Sequence, residues 1–183
     1  MKKTGKAEGN EYGFERLPDG TYNLEIQEGV EFAVTKNKDT DEPIKDENGN
    51  IKESMRIPHK VIDGEHDGGD YMRFININDF GEQQIADVLA VTKLTDGFNK
   101  KFPGEVEMFD DKVRDMYKVK LPYKTYQVDL ETRKANNGKE YQNVIAIRPY
   151  SKINEEGTKA TSKAVADNSD DEDWIRTNEV SQE

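Results

Sequence analysis

From Thr21 the chain alternates, with Tyr22, Leu24 and Ile26 apolar and Asn23, Glu25 and Gln27 polar, the period-two pattern of a strand with one wet face. Pro18, Asp19 and Gly20 supply a turn before it. The strand is expected to run on past a bulge at Gly29 through Val30, Phe32 and Val34. A second strand is predicted over Ile51 to Ile62, where Met55, Ile57, His59 and Val61 alternate with Arg56, Pro58 and Lys60. Pro58 cannot donate to a ladder and so marks an edge or a bulge. The glycine-rich link IDGEHDGGD leads to a third strand, Tyr71 to Ile77, with Tyr71 and Arg73 on one side and Met72 and Phe74 on the other. A helix follows: Asp79 can cap it, Glu82 completes the capping-box spacing, and Ile85, Val88, Leu89 and Thr92 recur on one face. Leu94 to Asp111 is broken by Gly97, Pro103 and Gly104 and has room for a short second helix. Beyond it Tyr117, Val119 and Leu121 alternate with Lys118 and Lys120, and Tyr126, Val128 and Leu130 resume the pattern after Pro122, all read as strand. Asn137-Gly138 signals a hairpin, and Tyr141 to Tyr150 returns antiparallel.

The order strand, strand, strand, helix, strand, strand predicts a mainly β domain, a five-stranded OB-like antiparallel barrel with one helix between strands 3 and 4. A curved sheet covered by one helix, without closure, would give the same string. Such barrels commonly bind oligonucleotides on an outer sheet face and on their first and last hairpin loops, here Thr35 to Asn50 and Arg133 to Glu140. Hydrophobic residues are only 33% of the 183 and charged residues 36%, so one core must coexist with segments that do not pack. The expected division is a flexible arm over 1–16, one domain over 17–150 and an acidic, disordered tail over 151–183. No apolar run approaches the roughly 20 residues of a membrane span, and no apolar segment follows the first lysines. With no cysteine, this predicts a soluble, cytoplasmic protein.

The net charge of −11 argues against simple adhesion to DNA or anionic membrane, but the charge is unevenly spread. Residues 17–111 carry ten Lys or Arg against 22 Asp or Glu, whereas 112–150 carry nine against four. Five of the eight tyrosines fall in that basic segment. Rings beside a cationic track are what an unpaired nucleic-acid strand needs, although β-structure also favours Tyr for packing. Candidate phosphate contacts are Arg56, Lys60, Arg73, Lys118, Lys120, Lys124, Arg133, Lys134, Lys139 and Arg148, and candidate stacking rings are Tyr71, Tyr123, Tyr126 and Tyr141. Tyr126 shares its phase with Val128 and Leu130, which makes it equally a core residue; Tyr71 beside Arg73 is the stronger platform.

The run LPDGTYNLEI, then VIDGEHDGGDYMRFININ, the helix, and NGKEYQNVIAIRPY together resemble phage-encoded single-stranded DNA-binding proteins. The resemblance spans roughly residues 17 to 150 and implies an OB-like barrel that coats single strands during DNA replication or recombination. It also implies an acidic tail that recruits partners, here Asp170, Asp171, Glu172 and Asp173 followed by Trp174. Tails of that family carry an aromatic residue near the extreme end, whereas Trp174 lies nine residues before Glu183. The same tail could instead occupy the basic groove until DNA displaces it. The host cytoplasm would be the setting if the protein is phage-encoded.

Other chemistries find less support. Asp46, Asn48, Gly49 and Ile51 match the interior of a calcium loop, but Ile44 and Met55 stand where the first ligand and the closing Glu belong, so an Asn-Gly turn is the reading. His59 alternates with apolar neighbours, and His66 sits among acidic residues with no metal-ligand spacing. No phosphate-cradling glycine loop or nucleophile elbow is present, so neither an enzyme nor a cofactor is expected. The competing class is an acidic interaction module, a virion component or a DNA-mimicking inhibitor, carried by the charge of 17–111.

Overall fold

The computed structural model describes residues 16–153. The arm before Arg16 and the tail cluster Asp170, Asp171, Glu172, Asp173 and Trp174 lie outside the described residues. The described chain is mainly antiparallel β-structure, six strands in one sheet with three helices.

β1 (Gly20–Ile26) and β2 (Glu31–Val34) are the two halves of the bulged first strand. Both lie on one edge of β3 (Glu53–Val61), with Ile26 paired to His59 and Glu31 to Arg56. The break falls opposite Pro58, whose carbonyl accepts from the Gln27 N–H at 2.8 Å but which has no N–H to return. Gly29 takes a φ of 98° there, a conformation a side chain would resist. β4 (Asp70–Asn76) covers the opposite edge of β3. β5 (Thr125–Lys134) pairs with β1, and β6 (Glu140–Pro149) with β5. The path therefore runs β4, β3, β1, β5, β6, and among the described residues no strand pairs with the outer edge of β4 or of β6. The sheet is not closed, and six strands replace the expected five because the bulge divides the first.

Three helices form between β4 and β5: α1 (Asp79–Val91), the expected one; α2 (Thr95–Lys101), in the segment with room for a short second; and α3 (Asp111–Lys120), where strand was expected. The cap of α1 is Asn78 rather than Asp79, its side-chain oxygen accepting from the Gly81 N–H at 2.8 Å. Gly81 is dictated by contact, since a Cβ there would stand 1.7 Å from the Asn76 carbonyl oxygen at the end of β4. This close approach lets α1 pack on β4 and on β6 together.

Residues 117–121 correct the reading of the basic segment. Lys118 and Lys120 are in a helix, not a strand, and Val119 is 64% exposed instead of sharing the core with Tyr117 and Leu121. The buried residues Val113, Met116, Tyr117 and Leu121 follow the 3.6-residue period, which overlaps a period of two across so short a run. Asp110 caps this helix by accepting from the Lys112 N–H at 3.0 Å, and Lys118 and Lys120 stand in its last turn, where cations suit the helix dipole.

The core joins Tyr22, Leu24 and Ile26 of β1, Met55, Ile57, His59 and Val61 of β3, Ile75 of β4, Tyr126, Val128 and Leu130 of β5, and the buried faces of the helices. Asp46 ties its turn by accepting from the N–H groups of Asn48 and Asn50, at 2.8 and 2.9 Å, and those bonds hold its carboxyl below the usual range. The β5–β6 connection passes through residues 135–139, where Gly138 takes a φ of 79° and donates its N–H to the Ala135 carbonyl at 2.9 Å. No helix among the described residues is long and apolar enough to cross a membrane.

Candidate nucleic-acid interface

Strand alternation decides which side chains of β4 meet solvent. Tyr71, Arg73 and Ile75 share a face, and their partners His59, Ile57 and Met55 on β3 are all core residues. That face is therefore inside, and Met72 and Phe74 point out. Phe74 is 41% exposed, whereas Arg73 is 4% exposed. This corrects the expectation that Tyr71 and Arg73 form the outer platform. Tyr71 is half-buried and packs against the core with its ring 5.8 Å from that of His59, and burial pushes its phenol up to about 12.

Because β4 and β6 do not pair, a cleft of about 640 Å³ opens between them. One wall is residues 71–74, the other residues 140–145, which include the Glu140 carboxylate, with Phe80 and Gln84 of α1 and the cations Arg16 and Arg133 completing it. Phe80 is 70% exposed because it falls off the helix stripe formed by Ile85, Val88 and Leu89. Phe74, Phe80, Tyr141 and Ile145 thus make an apolar, largely aromatic surface at the mouth. Arg16 stands 3.7 Å from the Glu140 carboxylate and donates to its backbone carbonyl, and Arg133 pairs with Glu131 at 2.9 Å. Arg73 lines the same cleft and donates from Nη1 to the Tyr126 hydroxyl at 3.3 Å. A second cleft, of about 450 Å³, begins on the far side of Phe74 and runs past Arg56 to Lys36 and Lys38.

Of the residues named from sequence, the cleft brings together Tyr71, Arg73, Arg133 and Tyr141. Lys134 and Lys139 are exposed at the adjoining hairpin tip. Arg56 lines the second cleft and pairs with Glu31 at 3.1 Å. The rest are placed elsewhere or engaged otherwise. Lys60 pairs with Asp70 at 2.8 Å, and Lys118 with Asp115 at 3.5 Å. Lys120 ends α3, and Lys124 lies in the connection to β5, its carbonyl accepting from the Ile26 N–H at 2.9 Å. Tyr123 is 63% exposed, but its hydroxyl donates to Glu28 at 2.7 Å and its N–H to the Ile26 carbonyl, pinning that connection to the end of β1.

Tyr126 is a core residue, its hydroxyl 2.7 Å from His59 Nε2. Arg148 is held by both carboxylate oxygens of Asp129, one at 2.8 Å, and by Gln127 at 3.1 Å, with the Asp129 bond raising the guanidinium pKa further. Phe74, Phe80, Ile145 and Arg16 are not among the site candidates read from sequence. The signal for the first was Ile75, whose phase marks the Tyr71 and Arg73 face as interior. For Phe80 it was an aromatic outside the helix stripe.

Burial, with the Arg73 charge second, drives the His59 imidazole down to about 3. The Tyr126 hydroxyl lies 2.7 Å from His59 Nε2, and its oxygen also accepts from Arg73 Nη1. The chain of bonds fixes the guanidinium beneath the cleft. No protein-family model matches this chain, and no curated protein matches it either.

Proposed function

We propose that the described domain binds single-stranded nucleic acid, without sequence preference, in the cleft between β4 and β6. The observation that carries this reading is the grouping of three exposed rings, Phe74, Phe80 and Tyr141, with three arginines, Arg16, Arg73 and Arg133, in one cleft of a protein whose net charge is −11. Stacked bases contribute about 1 to 3 kcal/mol each through faces that every base possesses, and arginines supply the backbone contacts. The second cleft beyond Phe74 extends the path toward Lys36 and Lys38. A half-open relative of the OB-like barrel, with the strand crossing its seam, is the architecture this reading implies. The likeness to phage single-stranded DNA-binding proteins adds replication or recombination as the setting, with the acidic tail as recruiter or occluder.

One feature favours a second reading. The unpaired edges of β4 and β6 flank the same cleft, and an extended peptide could add there as a strand. Fluorescence anisotropy with labelled oligo-dT and a matching duplex, at two salt concentrations, separates the two. Nucleic-acid binding predicts preference for the single strand and a log-log salt slope near −2, from three contacts at about −0.7 each. Equal binding of duplex, or no binding at low salt, contradicts it.

A further inference from the structure

The geometry points to a phosphate seat at Arg73, beneath the β4–β6 cleft, with Tyr126 and His59 as the residues that position it. The inference deepens the single-strand reading and rests on it only for the source of the phosphate.

Arg73 is 96% removed from solvent, by its 4% exposure, yet no Asp or Glu among the described residues forms an ion pair with it. A buried cation without an anion is strongly disfavoured, because desolvation is not repaid by a Coulomb partner. The other two cleft arginines differ in this respect, Arg16 standing beside Glu140 and Arg133 beside Glu131.

The local bonds prepare the guanidinium without neutralising it. Of its five N–H donors, one is used on Tyr126. Tyr126 in turn is hydrogen-bonded to His59 Nε2, and neither the phenol nor the imidazole brings a negative charge. What remains is a planar fork of donors lining an open cleft, the arrangement that takes two oxygens of a tetrahedral oxyanion. A phosphodiester of a stacked strand is the right size and charge, with its bases on Phe80 and Tyr141. Free inorganic phosphate offers the same oxygens.

The test uses the full chain and three variants. In wild type, inorganic phosphate should raise the melting temperature beyond chloride of equal ionic strength. Arg73→Met should fold, melt at least as high as wild type in chloride, and lose the phosphate response. Its affinity for oligo-dT should fall about tenfold or more, the scale of one charge-assisted bond, with a salt slope shallower by about 0.7. Should Arg73→Met not fold, Tyr126→Phe keeps the ring and removes only the hydroxyl that holds the guanidinium, and should weaken the phosphate response. If phosphate protects wild type and Arg73→Met equally, or Tyr126→Phe leaves that response intact, the seat is wrong. If Arg73→Met binds oligo-dT like wild type while Phe80→Ala does not, the seat fails and the single-strand reading survives. If phosphate protects wild type alone and oligo-dT does not bind, the seat survives and that reading fails.

Discussion

The seam between β4 and β6 and the outer face of β5 and β6 each present an arginine from a strand, and the two are handled in opposite ways. Arg148 on the outer face is partly exposed and saturated: Asp129 takes it with both oxygens, Gln127 accepts from its Nε, and Thr21 adds a 2.6 Å bond to Asp129. Arg73 at the seam is buried and has a hydroxyl for a partner instead of a carboxylate. Solvent exposure is therefore a poor guide to which cation is ready for a ligand. The exposed one is engaged in holding strands together, and the buried one retains its unmet charge.

The largest effect on this contrast should come from Gly81→Ala, which pushes a methyl into the Asn76 carbonyl and must lift α1 from the end of β4. We expect a loss of about 3 kcal/mol or more in chemical denaturation, together with loss of the cleft wall that Phe80 supplies. Near-normal stability would mean α1 is not what holds the seam's geometry.

Next is the response to acid. The folded His59 imidazole lies at about 3 and its ordinary value is 6.5, so it contributes its full stability above about pH 6.5 and loses it as pH falls toward 3. The unfolded state then binds the extra proton, and the slope is about 1.4 kcal/mol per pH unit, or roughly 3 kcal/mol between pH 7 and 4.5. Comparing the pH dependence of unfolding in wild type and His59→Gln checks this, because carboxylate contributions are common to both. Parallel curves would remove His59 from the account.

Arg148→Met should cost about 1 to 2 kcal/mol, since it strips Asp129 of its cation, and should leave oligonucleotide affinity unchanged. A loss of affinity without loss of stability would reverse the assignment of the two arginines. The smallest effect is expected from Phe80→Ala, which should weaken oligo-dT binding by about 1 to 2 kcal/mol, with melting shifted by less than a degree or two because the ring is already in water.

Much of the β-structure is legible in the sequence. Alternation marks β1, β3 and the interior phase of β5, Pro58 marks the bulge, and Asn137-Gly138 marks the last turn. Residues 113–121 mislead because Tyr117, Val119 and Leu121 satisfy a period of two while Val113, Met116, Tyr117 and Leu121 satisfy 3.6, and only packing chooses between them. The site is less legible for a related reason. Phases along β4 are readable, but which phase faces in depends on Ile75 and on the register with β3, a long-range pairing. Ion pairs such as Lys60 with Asp70 and Arg148 with Asp129 likewise join residues whose proximity only the fold creates. Counting cations in a segment therefore overstated the basic track and missed Phe74 and Phe80.

The central claim is that an unpaired strand lies in the β4–β6 seam. Photocrosslinking of a 5-iododeoxyuridine oligonucleotide to the full chain, with the attached residues located by mass spectrometry, tests it most directly. Crosslinks should fall on Phe74, Phe80 or Tyr141 and should be competed away by oligo-dT but not by duplex. Crosslinks confined to Tyr123 or Tyr150, or equal competition by duplex, would contradict it.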